Sequence, residues 1–238
     1  MLLHTCCAPC ALPIIDGLTS LTMASTELSR MSNPEPTRRI DDLTSLTTNP
    51  EPTRRIDDLT SLTTNPEPSR RIKYLLKEKK VKNLTLYFYN PNIYPEKEYQ
   101  KRLEEVKKIS KIYNLELIIG EYEHNKWLNY LKQSLPNPLE SYSENEERCL
   151  NCFRFRLDKT AEFAKNNNFN EFSTTLSVNR FKNTKFMNNY GEKLAKEYNL
   201  DYVILDLDPY EAHKKEQELA KKYNLYSQKY CGCEFSQG

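Results

Sequence analysis

Three cysteines fall within five positions near the start of the chain, Cys6, Cys7 and Cys10, in the stretch MLLHTCCAPC. Cys149 and Cys152 form the CxxC of RCLNCFRFRL, and Cys231-Gly232-Cys233 closes the set of seven. Grouped thiols point to metal or redox chemistry, because the thiolate is both a metal ligand and a nucleophile. In a continuing strand Cys6 and Cys7 face opposite sides, so they can serve one ligand only if the backbone turns between Thr5 and Pro9. Pro9 suits the first turn of a helix, where its missing N–H costs nothing. The three N-terminal thiols are therefore expected around a helix N-terminus, whose dipole and free N–H groups favour thiolates and anionic clusters. The spacing of Cys149 and Cys152 puts both sulfurs on one helix face, as a metal or iron–sulfur site requires. Alone, that CxxC is ambiguous among a zinc site, a redox dithiol and chance. The CxC pair can close only a small, strained ring, and Gly232 supplies the backbone freedom for it. A strained disulfide is easily reduced and suits an electron relay, whereas free thiolates there could ligate metal instead.

Other residue types narrow the chemistry. His4, His124 and His213 are scattered, and read as solvated or packed residues rather than ligands. Without well-spaced histidines, an ordinary zinc finger does not fit. Neither GxGxxG, GxxxxGK[ST] nor SGGxDS occurs, and five glycines in 238 residues leave little for a phosphate cradle, so no nucleotide cofactor is expected. The net charge is only +2, which excludes a global field as the basis for nucleic-acid binding. Local patches remain: Arg148, Arg154, Arg156 and Lys159 beside the CxxC, Arg180, Lys182 and Lys185, and Lys229 with Tyr226 and Tyr230. Arginine and tyrosine near a thiol cluster suit phosphate contacts and stacking on an unstacked RNA base.

The elements that must position these groups follow from periodicity. LTLYFYN (84–90) is a β-rich apolar run ending at a turn, Asn90-Pro91. EKEYQKRLEEVKKISKIY (96–113) spaces Tyr99, Leu103, Val106 and Ile109 for a helix buried on one face. LELIIGEY (115–122), EFSTTLS (171–177) and DYVILDLD (201–208) read as strands, and 146–168, 184–198 and 213–223 as helices. Strands alternating with helices predict an α/β fold, a Rossmann-like, mostly parallel sheet flanked by helices, in a single domain over 1–238. In such sheets the site gathers at the C-terminal ends of the strands, so HTCCAPC and YNPN should converge there. Between them lies a tandem repeat of 16-residue period across 17–72, with NPEPTRRIDDLTSLTT at 33–48 recurring unchanged at 49–64. Its prolines and Thr/Ser-rich tails predict a flexible insertion without catalytic function. ALPIIDGL begins a helix that IKYLLKEKK resumes, so the insertion is expected to loop out at Asp16-Gly17. Apolar residues make up only 38%, consistent with a segment outside the core. Grouped thiols imply a reducing compartment, and Leu2 and Leu3 lack the flanks of a signal peptide. No apolar run nears the ~20 residues of a bilayer span, so the expectation is a cytoplasmic protein with no membrane partner.

Taken together, LLHTCCAPC, YFYNPNIYPEKEYQKRLEEV, RCLNCFRFRLDKTAEFA, FSTTLS and QKYCGCEFS resemble, in order, the epoxyqueuosine reductase QueH family. The resemblance spans nearly the whole chain apart from roughly 17–72, where the family has one short helix. It implies reduction of the epoxide of epoxyqueuosine, at the wobble position of certain tRNAs, to the alkene of queuosine, independently of cobalamin. It further implies a four-iron, four-sulfur cluster on Cys6, Cys7, Cys149 and Cys152, and a redox-active disulfide between Cys231 and Cys233. Cys10 is left as a candidate ligand of a second metal, mononuclear iron or zinc. Arg148, Arg154, Arg156, Lys182 and Lys229 become candidate tRNA contacts, and Tyr89, Tyr94 and Tyr230 candidate proton donors. The partners are the epoxyqueuosine-containing tRNA and an electron donor. The rival readings are a non-catalytic zinc or iron–sulfur protein and another, sulfur-inserting tRNA enzyme.

Overall fold

A computed structural model describes residues 1–18, 84–205 and 207–236. The repeat expected to be a flexible insertion, and the IKYLLKEKK helix after it, lie outside the described residues. Five parallel strands form one sheet in the order β3-β2-β1-β4-β5. They are β1 (Leu2–His4), β2 (Thr85–Phe88), β3 (Glu116–Ile119), β4 (Glu171–Thr174) and β5 (Asp201–Tyr202). Among the described residues six helices flank the sheet: α1 over 8–18, α2 (Glu96–Ile112), α3 (His124–Ser134), α4 (Glu147–Asn166), α5 (Thr184–Tyr198) and α6 (Pro209–Lys222). The α/β architecture read from the sequence is the one observed.

The central strands are apolar on both faces, as expected when helices cover both sides of a parallel sheet. Alternation assigns the faces. Leu3, Leu86 and Phe88 pack with Ala11, Leu12 and Ile15 of α1 and with Leu103, Val106 and Ile109 of α2. Leu2, Tyr87 and Phe172 pack with Phe153, Leu157 and Ala161 of α4 and with Met187 and Leu194 of α5. Burying Leu2, Leu3 and Leu12, each at 0% exposure, contributes about 1.5–3 kcal/mol per side chain. The three-residue β1 is therefore the spine of the sheet, with Leu3 paired to both Leu86 and Ser173.

Several boundaries differ from the sequence reading, each for a local reason. The run 171–177 ends as a strand at Thr174, whose side chain accepts from the Leu176 N–H and starts a 3₁₀ turn over Thr175–Val178. The run 201–208 pairs only through Asp201 and Tyr202, two residues short of the end of β4. Helix α6 begins at Pro209, ahead of the expected 213, because Asp208 caps the N–H groups of Tyr210 and Glu211. Helix α3 was not anticipated, since it buries only Trp127 and Leu131. Helix α1 continues through Asp16 and Gly17 to Leu18, past the loop-out point expected from the sequence. No helix among the described residues is long and apolar enough to cross a membrane.

Candidate active site

The strand order reverses between β1 and β4, one leading to β2 and the other to β5. That switch point opens a crevice at the carboxyl ends of the strands. The chain leaves β1 at His4, bends at Cys6 and enters α1 at Ala8, so Cys6, Cys7 and Cys10 surround the helix N-terminus. Their sulfurs lie within 4.8 Å of one another, with Cys6 and Cys7 3.7 Å apart. Among the described residues this is the group whose geometry can hold a metal ion. Cys10 stands with Cys6 and Cys7 rather than apart from them. Hydrogen bonds from Cys10 and Cys7 hold the Cys6 thiol well below its ordinary range, aided by Arg156 and Thr175. Burial and the Cys6 charge drive Cys7 the other way, and Cys10 rises because it donates to Cys6 and Cys7.

The partner strand locks this turn. The Cys6 N–H donates to Thr175 Oγ1 at 3.1 Å, and the Thr175 hydroxyl lies 3.2 Å from Cys6 Sγ. His4 is fully buried, with Nε2 donating to the Tyr89 carbonyl at 3.0 Å and Nδ1 2.8 Å from the Thr174 hydroxyl. Burial, and then the Arg156 charge, push its pKa down to about 3, so it is a neutral core residue. YNPN converges on the thiols as expected, with Asn90 Nδ2 donating to the Thr5 carbonyl at 2.9 Å.

A cavity of about 770 Å³ opens over this corner, lined by Cys6, Cys10, Cys231, Arg156, Lys182 and Tyr230 among others. Cys149 and Cys152 sit in the first turns of α4 as predicted, with Cys152 packed beside Cys233 and Trp127. Burial raises Cys149, and pushes Cys152 up to about 11. Two cations, the buried Arg156 and the half-buried Lys182, address these groups: Arg156 acts on Cys6, Cys152 and Cys231, and Lys182 on Cys6, Cys149 and Cys231. Cys231 and Cys233 are free thiols, so the disulfide implied by the resemblance is not formed here. Instead Cys233 hydrogen-bonds Cys231, and Lys182 Nζ lies 3.3 Å from Cys231 Sγ, which together hold Cys231 well below the usual thiol range. Burial opposes the Lys182 charge, and the Cys231 charge more than offsets it.

The remaining predicted residues divide sharply. Arg156, Lys182 and Lys229 line the cavity. Arg148 is buried and donates to the carbonyls of Leu139 and Tyr142, bracing the approach to α4. Arg154 bonds Asn151 and lies over the Phe186 ring. Of the three tyrosines Tyr230 lines the cavity, whereas Tyr89 donates to Glu123 and Tyr94 stacks on His124. His213 lines the cavity and faces Glu216, and His124 Nδ1 donates to the Pro91 carbonyl at 2.8 Å. Sequence reasoning did not single out Asn92, Arg102 or Thr175 as site residues. Asn92 Oδ1, Arg156 Nε and Gln228 Oε1 are buried without a hydrogen-bond partner, and all three residues line the cavity. Unpaired buried polar atoms cost about 1–3 kcal/mol each, so their concentration here marks a place built for a polar ligand. Asn92 was legible as the second asparagine of YNPN.

Fold and site define a doubly wound α/β protein with a thiol-rich centre able to hold metal, under a polar, cationic cavity. The family model described as epoxyqueuosine reductase QueH matches residues 65–238, and the chain belongs to the QueH family. Relatives named epoxyqueuosine reductase QueH include one from Helicobacter pylori, 36% identical over 172 residues, covering 68% of this chain and 45% of that protein. Another, from Thermotoga maritima, is 33% identical over 159 residues, covering 66% of this chain and 80% of that protein. A Haemophilus influenzae relative is 33% identical over 154 residues, with 64% of this chain and 60% of that one covered. The chain thus spans less than two thirds of the Helicobacter and Haemophilus proteins. Cys6, Cys7 and Cys10 precede the matched range, yet β1 ties them into the middle of the matched sheet.

Proposed function

We propose that this chain is an epoxyqueuosine reductase acting on tRNA, reducing the wobble-position epoxide to the alkene of queuosine without cobalamin. The observation that carries the reading is the grouping of Cys6, Cys7 and Cys10, of which Cys6 and Cys10 line one polar cavity at the switch point together with Cys231. The reaction consumes two electrons and two protons, breaks both C–O bonds of the epoxide and releases the oxygen as water. Cys6, Cys7, Cys149 and Cys152 hold a four-iron, four-sulfur cluster, and Cys10 ligates a second metal, iron or zinc. Cys6 and Cys7, 3.7 Å apart with Cys10 within 4.8 Å of both, offer thiolates for such groups, and Arg156 and Lys182 offset the negative charge that the thiolates bring. When bound, the cluster passes electrons singly and the second metal supplies a Lewis acid for oxygen. Asn92 and Arg156 orient the polar ring, the former accepting and the latter donating. Tyr230 stands at the cavity wall as proton donor. Cys231 and Cys233 cycle between the dithiol seen here and a disulfide, Lys182 holding the attacking sulfur as thiolate.

The test is anaerobic iron and sulfide analysis, followed by mass spectrometry of nucleosides after incubation with epoxyqueuosine-containing tRNA and a chemical reductant, with cobalamin omitted. The expected result is about four irons and four sulfides per chain beside the second metal, with queuosine formed. Zinc alone with no queuosine overturns the reading in favour of a structural metal protein. Cys10→Ser should keep the sulfide count while losing the second metal and turnover; unchanged metal and turnover removes Cys10 from that role.

A further inference from the structure

Phe181 is 64% exposed, and among the described residues it is the one large exposed hydrophobic that lines the cavity. An exposed phenylalanine carries an unfavourable hydration cost that a stacked ligand relieves. One side of its ring is already occupied: the exposed Arg180 guanidinium lies 4.5 Å from the ring centroid. At 64% exposure, much of the rest of the side chain is open to solvent. The loop that carries it is held in place without any ligand. The Phe181 N–H donates to Asn179 Oδ1 at 2.9 Å, the Lys182 N–H to the Asn179 carbonyl at 3.0 Å, and Thr184 Oγ1 to the Ser177 carbonyl at 2.9 Å. A ring fixed in this way loses little freedom when something stacks on it. Its surroundings are cationic as well as aromatic, with Arg180 beside it and the exposed Lys229 lining the same cavity.

We propose that Phe181, backed by Arg180, is a stacking platform for an unpaired RNA base next to the nucleotide that enters the cavity. This rests on the tRNA reading above and adds to it the element that holds the anticodon loop open. Cationic side chains and an exposed aromatic ring together fit a single-stranded nucleic acid, where phosphates and base faces alternate. A duplex offers no free base face, so the platform discriminates between looped and paired RNA.

Fluorescence anisotropy tests this with the full-length protein, a labelled anticodon stem–loop RNA and a blunt duplex of the same stem. Phe181→Ala should weaken stem–loop binding by roughly 5- to 150-fold, the range that base–aromatic stacking spans, while duplex binding stays put. Phe181→Trp should restore it, because a larger ring stacks at least as well. Arg180→Ala should flatten the slope of log affinity against log salt by about 0.7, the value for one phosphate contact on a single strand. Equal stem–loop affinity for Phe181→Ala and the parent chain overturns the platform while leaving the tRNA reading intact. An equal loss on stem–loop and duplex overturns it too, since the ring would then not be reading a base. A parent chain that binds neither RNA overturns the tRNA reading itself.

Discussion

Arg102 shows how one buried charge organises the C-terminal thiols. It is 3% exposed, pairs with Glu98 at 2.7 Å, and donates to the carbonyls of Cys231 at 2.9 Å and Tyr230 at 3.4 Å. Gly232 must lie flat against it: its φ is +113°, and a Cβ there would come within 2.7 Å of the guanidinium. Gly232→Ala should therefore destabilise the chain by about 1–3 kcal/mol through backbone strain and collision. Thermal melting checks this, at roughly 2–4 °C per kcal/mol for a chain of this size; an unchanged midpoint would show that Arg102 does not fix the loop. A second residue-scale expectation concerns Lys182. Lys182→Met removes the cation 3.3 Å from Cys231, and the Cys231 pKa should rise, because that charge favours the thiolate. At neutral pH more of the thiol is then protonated and slower to alkylate. Mass spectrometry of the Cys231 peptide after iodoacetamide, across a pH series, reads this directly, and an unshifted profile removes Lys182 from the role.

At the scale of elements, the site is a junction between two strand ends. β1 delivers Cys6, β4 delivers Thr175, and the two Thr175–Cys6 contacts bridge the switch point. Thr175→Val preserves the shape and removes the hydroxyl. Metal affinity should fall roughly 10- to 100-fold, as when an outer-shell partner of a ligand is lost. Competition between the chain and a chelator for cobalt(II) measures it; unchanged affinity would mean that the helix N-terminus alone sets the Cys6 geometry. Much of this junction was readable in the sequence. Pro9 announced the turn that lets Cys6 and Cys7 face one ligand, and the strand–helix alternation placed HTCCAPC and YNPN at one sheet edge. What was not readable depended on tertiary neighbours. Arg148 and Arg156 sit eight residues apart in one helix, α4, yet one braces backbone carbonyls and the other lines the cavity. Nothing in their local sequence separates them. Helix α3 was hidden because only Trp127 and Leu131 of its residues are buried, too few for a pattern.

At the scale of the whole molecule, the question is whether the site helix depends on the repeat that follows it. Within 8–18, Ala8, Ala11, Leu12 and Ile15 recur at helical spacing and are 0–1% exposed, packed on the central strands. That is three turns of helix anchored by its own core contacts, with the thiols at its other end. The helix that presents Cys6, Cys7 and Cys10 therefore has its stabilisation upstream of residue 19. Deleting 19–71 shortens the chain between α1 and β2 about fivefold, and for a segment as flexible as its sequence predicts each halving recovers about 0.6 kcal/mol of closure entropy. The deletion chain should melt a few degrees higher, by roughly 2–4 °C per kcal/mol, with metal content and queuosine formation within about twofold of the parent. Losing the metal on deletion would show instead that residues beyond Leu18 complete the helix and hold the thiols in register. A large rise in activity would show that the repeat loosens the site it interrupts. Melting, metal analysis and turnover on one preparation separate these outcomes, because a helix that stands by itself keeps all three and a helix that leans on the repeat loses metal first.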